Sequence, residues 1–225
     1  MTGAELVLVV DRMAFFGGRW PQGLVPLAGA AAADLLGSLE AAARFVPRPA
    51  AEDDPSLKQL IPYCALVTGT EVFCVERLRT QGEARLHGRL SIGIGGHIGP
   101  EDSPPAGAVR RGLWRELNEE LVLPTVPLAD PRFVGLLNDD SNPVGAVHVG
   151  LVHLLELGAG TGTGLGVREI SKMAGAFRRL ADPGNPWQDA ARLETWSAAL
   201  LAALPPLLEP RAGGHPDGSD SRTRN

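Results

Sequence analysis

The chain has 225 residues, 44% of them apolar, and a formal net charge of −5. That length supports one domain with a proper core or two small ones, and the apolar share excludes a disordered chain. The acidic balance argues against a general binder of nucleic-acid polymers, but not against an enzyme for single nucleotides, because carboxylates that hold cations can attract phosphates.

In chain order, the Val- and Leu-rich residues 5–10 predict a strand, and an Ala- and Leu-rich stretch predicts a helix over 31–43. Residues 60–67 and 72–77 are β-branched runs around Thr68-Gly69-Thr70-Glu71, which predicts a hairpin. Residues 90–94 predict a strand that runs into Gly95-Gly96-His97. The next helix has Ser103 as N-cap and Pro104 at its first position, and is expected to reach Leu121 before Pro124 stops it. Two more strands are predicted over 133–137 and 147–155, joined by the turn-forming residues 138–143. After a glycine-rich connection at 158–166, helices are expected over 167–180 and 187–204. The pattern predicts an α/β sandwich with a mixed sheet. The expected division is an N-terminal strand and helical extension at 1–58 packed on the core, a domain at 59–208, and a disordered tail at 209–225.

No apolar run approaches the roughly 18 residues of a membrane span, and the first residues lack a secretory pattern, so a cytoplasmic protein is expected. The only cysteines, Cys64 and Cys74, fall on adjacent predicted strands; reduced thiols are the simpler reading, with a bridge left open.

The functional signal is Arg115-Glu116-Leu117-Asn118-Glu119-Glu120. At 100° per residue its three glutamates fall within an arc of about 100°. Leu113, Trp114, Leu117 and Leu121 form the core-facing stripe, which puts Glu116 and Glu120 at its edge. Packing like charges costs roughly 0.2–0.5 kcal/mol per i,i+4 pair even on a wet surface, and a hard divalent ion reverses the sign. Arg115 is placed to pair with Glu119. The plain alternative is a solvated acidic face. Ser91-Ile92-Gly93-Ile94-Gly95-Gly96-His97-Ile98 adds a strand that ends in glycines, where backbone can approach a ligand closely. A dinucleotide fingerprint does not fit, because the helix does not begin inside the glycine turn.

These residues resemble the box of the Nudix hydrolase family, a glycine followed at fixed spacing by Glu and by Arg-Glu-x-x-Glu-Glu. The 115–120 core matches without a gap. Gly96 resembles the leading glycine but lies about five residues too far upstream, so the loop Gly95-Gly96-His97-Ile98-Gly99-Pro100-Glu101-Asp102 is similar to the expanded loop of a subgroup of predicted phosphoesterases. Segments 59–63 and 138–145 resemble that subgroup too. Two positions depart from the box: Val122 replaces its usual glycine, and Gly107 stands where its upstream Glu belongs.

The resemblance implies a Nudix-type α/β/α sandwich and an enzyme that cuts a phosphoanhydride bond, such as that of a nucleoside diphosphate linked to another moiety. It implies Glu116, Glu119, Glu120 and the backbone of Gly96 as holders of Mg²⁺ or Mn²⁺, with Glu119, Glu120 and Arg115 as catalytic residues. A further acid from a later loop has Glu156, Glu169, Asp139 and Asp140 as candidates, with turn chemistry the favoured role of the two aspartates. Arg77, Arg79, Arg89 and His97 are candidate substrate-binding residues, the arginines being suited to bidentate phosphate contacts and equally to a hairpin surface. The expected partner is a small-molecule diphosphate, with no nucleic-acid polymer and no membrane; oligomeric state is left open, a homodimer included. The competing readings are a Nudix-fold module that binds a nucleotide without cutting it, and a prenyl diphosphate isomerase, whose catalytic cysteine finds no distinctive setting here. His148 and His153, five apart in one strand, are expected on opposite faces and not at a shared metal.

Overall fold

The computed structural model describes residues 4–17, 21–78, 88–125, 128–158 and 164–208. Arg79 and the tail expected from 209 onward lie outside the described residues.

The long strand β4 (Leu57–Thr68) organises the molecule. All its residues up to Val67 are buried, as required of a strand covered on both faces. It pairs in parallel with β10 (His148–Glu156), antiparallel with β5 (Glu71–Arg77), and antiparallel at its start with β1 (Leu6–Asp11). The sheet runs β12-β5-β4-β10-β9-β2, where β12 is Met173–Arg179, β9 is Arg132–Asn138 and β2 is Gly23–Pro26. A short β3 (Arg44–Pro47) extends β1. Both β1 and β2 therefore join the sheet built by the later strands.

The period of two along β4 and β5 divides the core. Tyr63, Ala65, Val67 and Cys74 face α6 (Thr195–Leu208), packing with Leu200 and Leu204. Cys64, Leu66, Phe73 and Val75 face α4 (Ala108–Glu120), packing with Leu113 and Leu117. On that second face α2 (Gly29–Ala42) contributes Leu39 beside Leu8, Leu60 and Val109. The result is a mixed sheet between helices, as the sequence predicts. The two cysteines point to opposite faces and are free thiols, their pKa values pushed up by burial to about 12 for Cys64 and about 11 for Cys74. Among the described residues no helix is long and apolar enough to cross a membrane.

Three expectations are corrected. Residues 167–180 form no helix: Gly166–Val167 is β11 and β12 follows as an edge strand paired with β5. The alanines of Met-Ala-Gly-Ala-Phe favour a helix locally, but Phe73 packs where a side chain on Gly175 would stand, and the free edge of β5 supplies the ladder. Residues 187–204 begin as two 3-10 turns, Pro186–Gln188 and Ala190–Arg192, before α6. The carboxylate helix starts at Ala108, not Pro104. Ser103 and Pro104 each precede a proline, which disfavours the helical region, Ser103 is extended, and Gly107 sits at φ 77°. Glu40 of α2 caps the late start, its two carboxylate oxygens accepting from Gly107 N at 2.7 Å and Val109 N at 3.1 Å.

Acid sensitivity follows from the interior. His153 is 4% exposed, packs against Phe133, and donates from Nδ1 to the Leu151 carbonyl at 2.7 Å. Burial pushes its pKa down to about 4, below the roughly 6.5 of an unfolded chain. The unfolded state therefore takes up a proton first, and stability present above pH 6.5 is lost as pH falls toward 4. The loss at pH 5 is about 2 kcal/mol. Urea denaturation at pH 7 and pH 5 should show the His153→Phe variant losing less than wild type over that interval. An unchanged interval would remove His153 as the cause.

Candidate functional site

Helix α4 packs through Val109, Gly112, Leu113 and Leu117, a stripe that leaves its glutamates graded in exposure. The side chain of Glu116 is 13% exposed and that of Glu119 58%. All three glutamates line one open cavity of about 700 Å³ together with Gly96, His97 and Arg115. The strand that delivers Gly96 is β7 (Ile94–Gly95), hydrogen-bonded to β4 at Tyr63 and Cys64. A Cβ on Gly96 would lie 2.4 Å from the carboxylate oxygens of Glu116, so only glycine lets that carboxylate rest against the chain. A Cβ on Gly95 would meet the Pro62 carbonyl at 2.2 Å.

Arg115 clamps this corner. Its Nη1 donates to Glu116 Oε1 at 2.7 Å and to Glu119 Oε2 at 3.3 Å. Its Nη2 donates to the His97 carbonyl at 2.7 Å and to Asp102 Oδ2 at 2.9 Å, while Nε reaches Asp102 Oδ1 at 3.2 Å. The pairing with Glu119 is present, but the buried fork to Asp102 dominates and holds the Arg115 pKa above its usual range. Asp102 ends the 3-10 turn Pro100–Asp102 and also accepts from Gly99 N at 3.2 Å. No motif marks Asp102 in the sequence: the expanded loop carries Glu101 and Asp102 side by side, and only folding decides which one is buried.

Burial raises the Glu116 carboxyl pKa, opposed by Arg115. It raises that of Glu120 further, to about 7, with Arg77 opposing and Glu116, Glu194 and Glu119 reinforcing. The donors are the hard oxygens that Mg²⁺ or Mn²⁺ prefers, and the Gly96 cradle suits a backbone ligand beside Glu116. Among the described residues, however, no three His, Cys, Asp or Glu side chains converge on one point. Glu116 is held by Arg115 instead, so binding an ion would draw it partly from that clamp.

A second open cleft, of about 660 Å³, adjoins the first and shares Arg48, Gly95, Gly96 and His97 with it. Of the candidate substrate-binding residues, Arg77, Arg89 and His97 line it, and Arg79 falls outside the described residues. Arg77 donates to Glu194 Oε1 at 3.1 Å, and Arg89 donates to the Ala191 and Leu193 carbonyls at 2.6 and 3.1 Å. Glu120, Arg77 and Glu194 meet again around a smaller 160 Å³ cavity.

The later-loop acids fall elsewhere. Glu156 pairs with Arg132, and Glu169 with Lys172. Asp139 accepts from Ser141 N in a turn, whereas Asp140 accepts from Arg12 and from the fully buried Lys58, at 2.7 and 2.6 Å. Lys58 also donates to Asn138 Oδ1 and to the Gly145 and His148 carbonyls, tying the loop after β9 to β4. The acid that does reach the cavities is Glu194, just before α6, where no motif marks it.

His148 and His153 face opposite sides of β10, as expected, but His148 has a partner that the spacing did not suggest. Its Nε2 lies 3.2 Å from Nε2 of His97, and its Nδ1 lies 2.6 Å from the Val144 carbonyl. Burial lowers the pKa of both imidazoles, that of His97 to about 4, so both are neutral near pH 7. A carbonyl only accepts, so His148 carries its proton on Nδ1 and its Nε2 is a bare acceptor. His97 must then donate from Nε2, which leaves its Nδ1 unprotonated.

No family model matches the chain. It is 38% identical to Protein YmaB of Bacillus subtilis (strain 168) over 176 residues, which is 76% of this chain and 83% of that protein. Its fold superposes on the crystal structure of Tm1382, a protein classed with the Nudix hydrolases, with a TM-score of 0.72 and 29% identity. That match covers 90% of this chain and 100% of Tm1382. With the fold, the Arg115–Glu120 core and this likeness in agreement, the chain belongs to the Nudix hydrolase family.

Proposed function

We propose that the protein is a divalent-metal-dependent hydrolase of a phosphoanhydride bond in a small-molecule substrate, a nucleoside diphosphate linked to another moiety. The observation that carries this reading is the position of Glu120: a largely buried carboxylate, crowded by Glu116 and Glu119, bordering cavities lined by carboxylates on one side and by Arg77 on the other. A buried like-charge cluster is unfavourable alone and becomes favourable with a cation.

Glu116, Glu119, Glu120 and the Gly96 backbone would hold Mg²⁺ or Mn²⁺. The ion would neutralise the charge of the diphosphate and acidify a water. The other roles belong to the chain itself. Arg115 orients Glu116 and Glu119 from one side while anchored to Asp102 on the other. Burial raises the Glu120 carboxyl pKa to about 7 when no cation is bound, so Glu120 is the carboxylate whose charge a cation would stabilise most. Arg77, bonded through Nε to Glu194 at the wall of the adjoining cavity, would contact phosphate oxygens through its Nη groups.

Chelation gives the direct test. A panel of nucleoside diphosphate derivatives should be hydrolysed in Mg²⁺ or Mn²⁺, fall to background with excess EDTA, and recover when the ion is restored. Turnover that survives exhaustive chelation would refute the metal-dependent reading. Tight, metal-dependent nucleotide binding with no turnover across the panel would refute the hydrolase in favour of a binding module.

A further inference from the structure

The wall of the second cleft contains a hydrogen-bonding device that the phosphate chemistry does not use. His97 follows the Gly96 cradle directly and lines both clefts, so it stands where the two parts of a bound substrate would meet. Its ring is held by the bond from its Nε2 to His148 Nε2, and His148 is in turn fixed by the Val144 carbonyl. Among the described residues none hydrogen-bonds to His97 Nδ1. Because His148 Nδ1 donates to the Val144 carbonyl, its Nε2 accepts and His97 donates from Nε2, which leaves Nδ1 as the acceptor nitrogen of a ring that lines both clefts. Trp196 lines the same cleft, held edge-on to Tyr63 at 5.6 Å and backed by Gly150, where a Cβ would come within 3.1 Å of the indole.

A bare imidazole nitrogen repels phosphate oxygens and pairs well with an N–H or O–H group. A fixed indole offers a surface on which a planar ring can stack. We propose that His97, with its tautomer set by His148, is a specificity-determining residue that accepts a hydrogen bond from the nucleoside part of the substrate. This rests on the reading of the protein as a nucleoside diphosphate hydrolase and names how its second cleft selects. On adenosine two kinds of group carry the required donor, the exocyclic amine and the ribose hydroxyls. A site built to accept from such a group discriminates against an analogue that lacks it, because the acceptor is then left unpaired.

Mononucleotides contain no anhydride bond and so report binding without turnover. Dissociation constants are to be measured in Mg²⁺ for AMP, for IMP, in which a carbonyl replaces the amine, and for 2′,3′-dideoxyadenosine monophosphate, which lacks both ribose hydroxyls. Wild type should bind one of the two analogues at least about tenfold more weakly than AMP. His97→Leu should collapse that ratio toward one by weakening AMP selectively. His148→Leu should shrink the ratio, whereas His148→Gln, which can place an acceptor oxygen near the lost Nε2, should preserve it. These His148 variants keep the test available if His97→Leu does not fold. Ratios equal in wild type and His97→Leu, or His148→Leu indistinguishable from wild type, overturn the inference alone. Failure of wild type to bind any of the three overturns the nucleotide reading together with it.

Discussion

Glu120→Gln should lower metal-dependent turnover by at least about a hundredfold while the metal-free protein melts at a higher temperature than wild type. The two effects have one cause. Glu120 is largely buried, its pKa is raised by desolvation to about 7, and Glu116, Glu194 and Glu119 all push it the same way. Gln keeps the shape and removes the charge, which relieves that cost when no cation is present. With a cation present, the same substitution removes a charged oxygen from its holders. A hundredfold loss corresponds to about 2.7 kcal/mol of transition-state stabilisation, within reach of one ligand or one base. The readouts are initial rates in saturating Mg²⁺ and melting curves in EDTA. Equal rates for the two proteins would remove Glu120 from the catalytic set, and a lower melting temperature in EDTA would show that its carboxylate is a structural anchor.

The largest loss of stability is expected for Arg115→Met. This substitution leaves Asp102, whose side chain is 4% exposed, with Gly99 N as its remaining hydrogen-bond donor among the described residues. Stranding one member of a buried ion pair costs about 3–5 kcal/mol. It also frees the His97 carbonyl and Glu116 from their 2.7 Å bonds, so turnover should fall along with stability. Arg115→Lys should lie between the two proteins in stability, because an ammonium keeps the charge but not the planar fork that spans Asp102 and Glu116. Adding Asp102→Leu to Arg115→Met should restore part of the stability and none of the activity, which separates the buried pair from the orientation of Glu116. A loss below about 1 kcal/mol for Arg115→Met would show that Asp102 is better solvated or better partnered than its burial implies.

Much of this arrangement was legible in the residues. The stripe of Leu113 and Leu117 gave the correct inward face of α4 and left Glu116 and Glu120 at its border, because a helix has one period and the core has one side. The β4–β5 hairpin and the strand β10 were marked by β-branched and apolar runs, whereas the parallel pairing of β10 with β4 was not. What escaped depends on partners distant in sequence. Nothing near residue 108 reveals that Glu40 caps the helix there, and nothing near residue 102 reveals that its carboxylate meets Arg115. The edge strand β12 was hidden because alanine-rich segments accept either conformation, and only the open edge of β5 decides. The His97–His148 pair joins two segments 51 residues apart, beyond the reach of spacing within one strand. Distances between elements are set by packing, and a linear pattern contains none of them.

On the proposed reading, Glu116 and Glu120 border one cavity because they would share a divalent cation with the Gly96 backbone. Anomalous diffraction from a crystal soaked in Mn²⁺ tests it most directly. A peak is expected within ligand reach of both carboxylates and of the Gly96 carbonyl, with Glu116 drawn away from Arg115. A site without a peak, with Glu116 still bonded to Arg115, would contradict it.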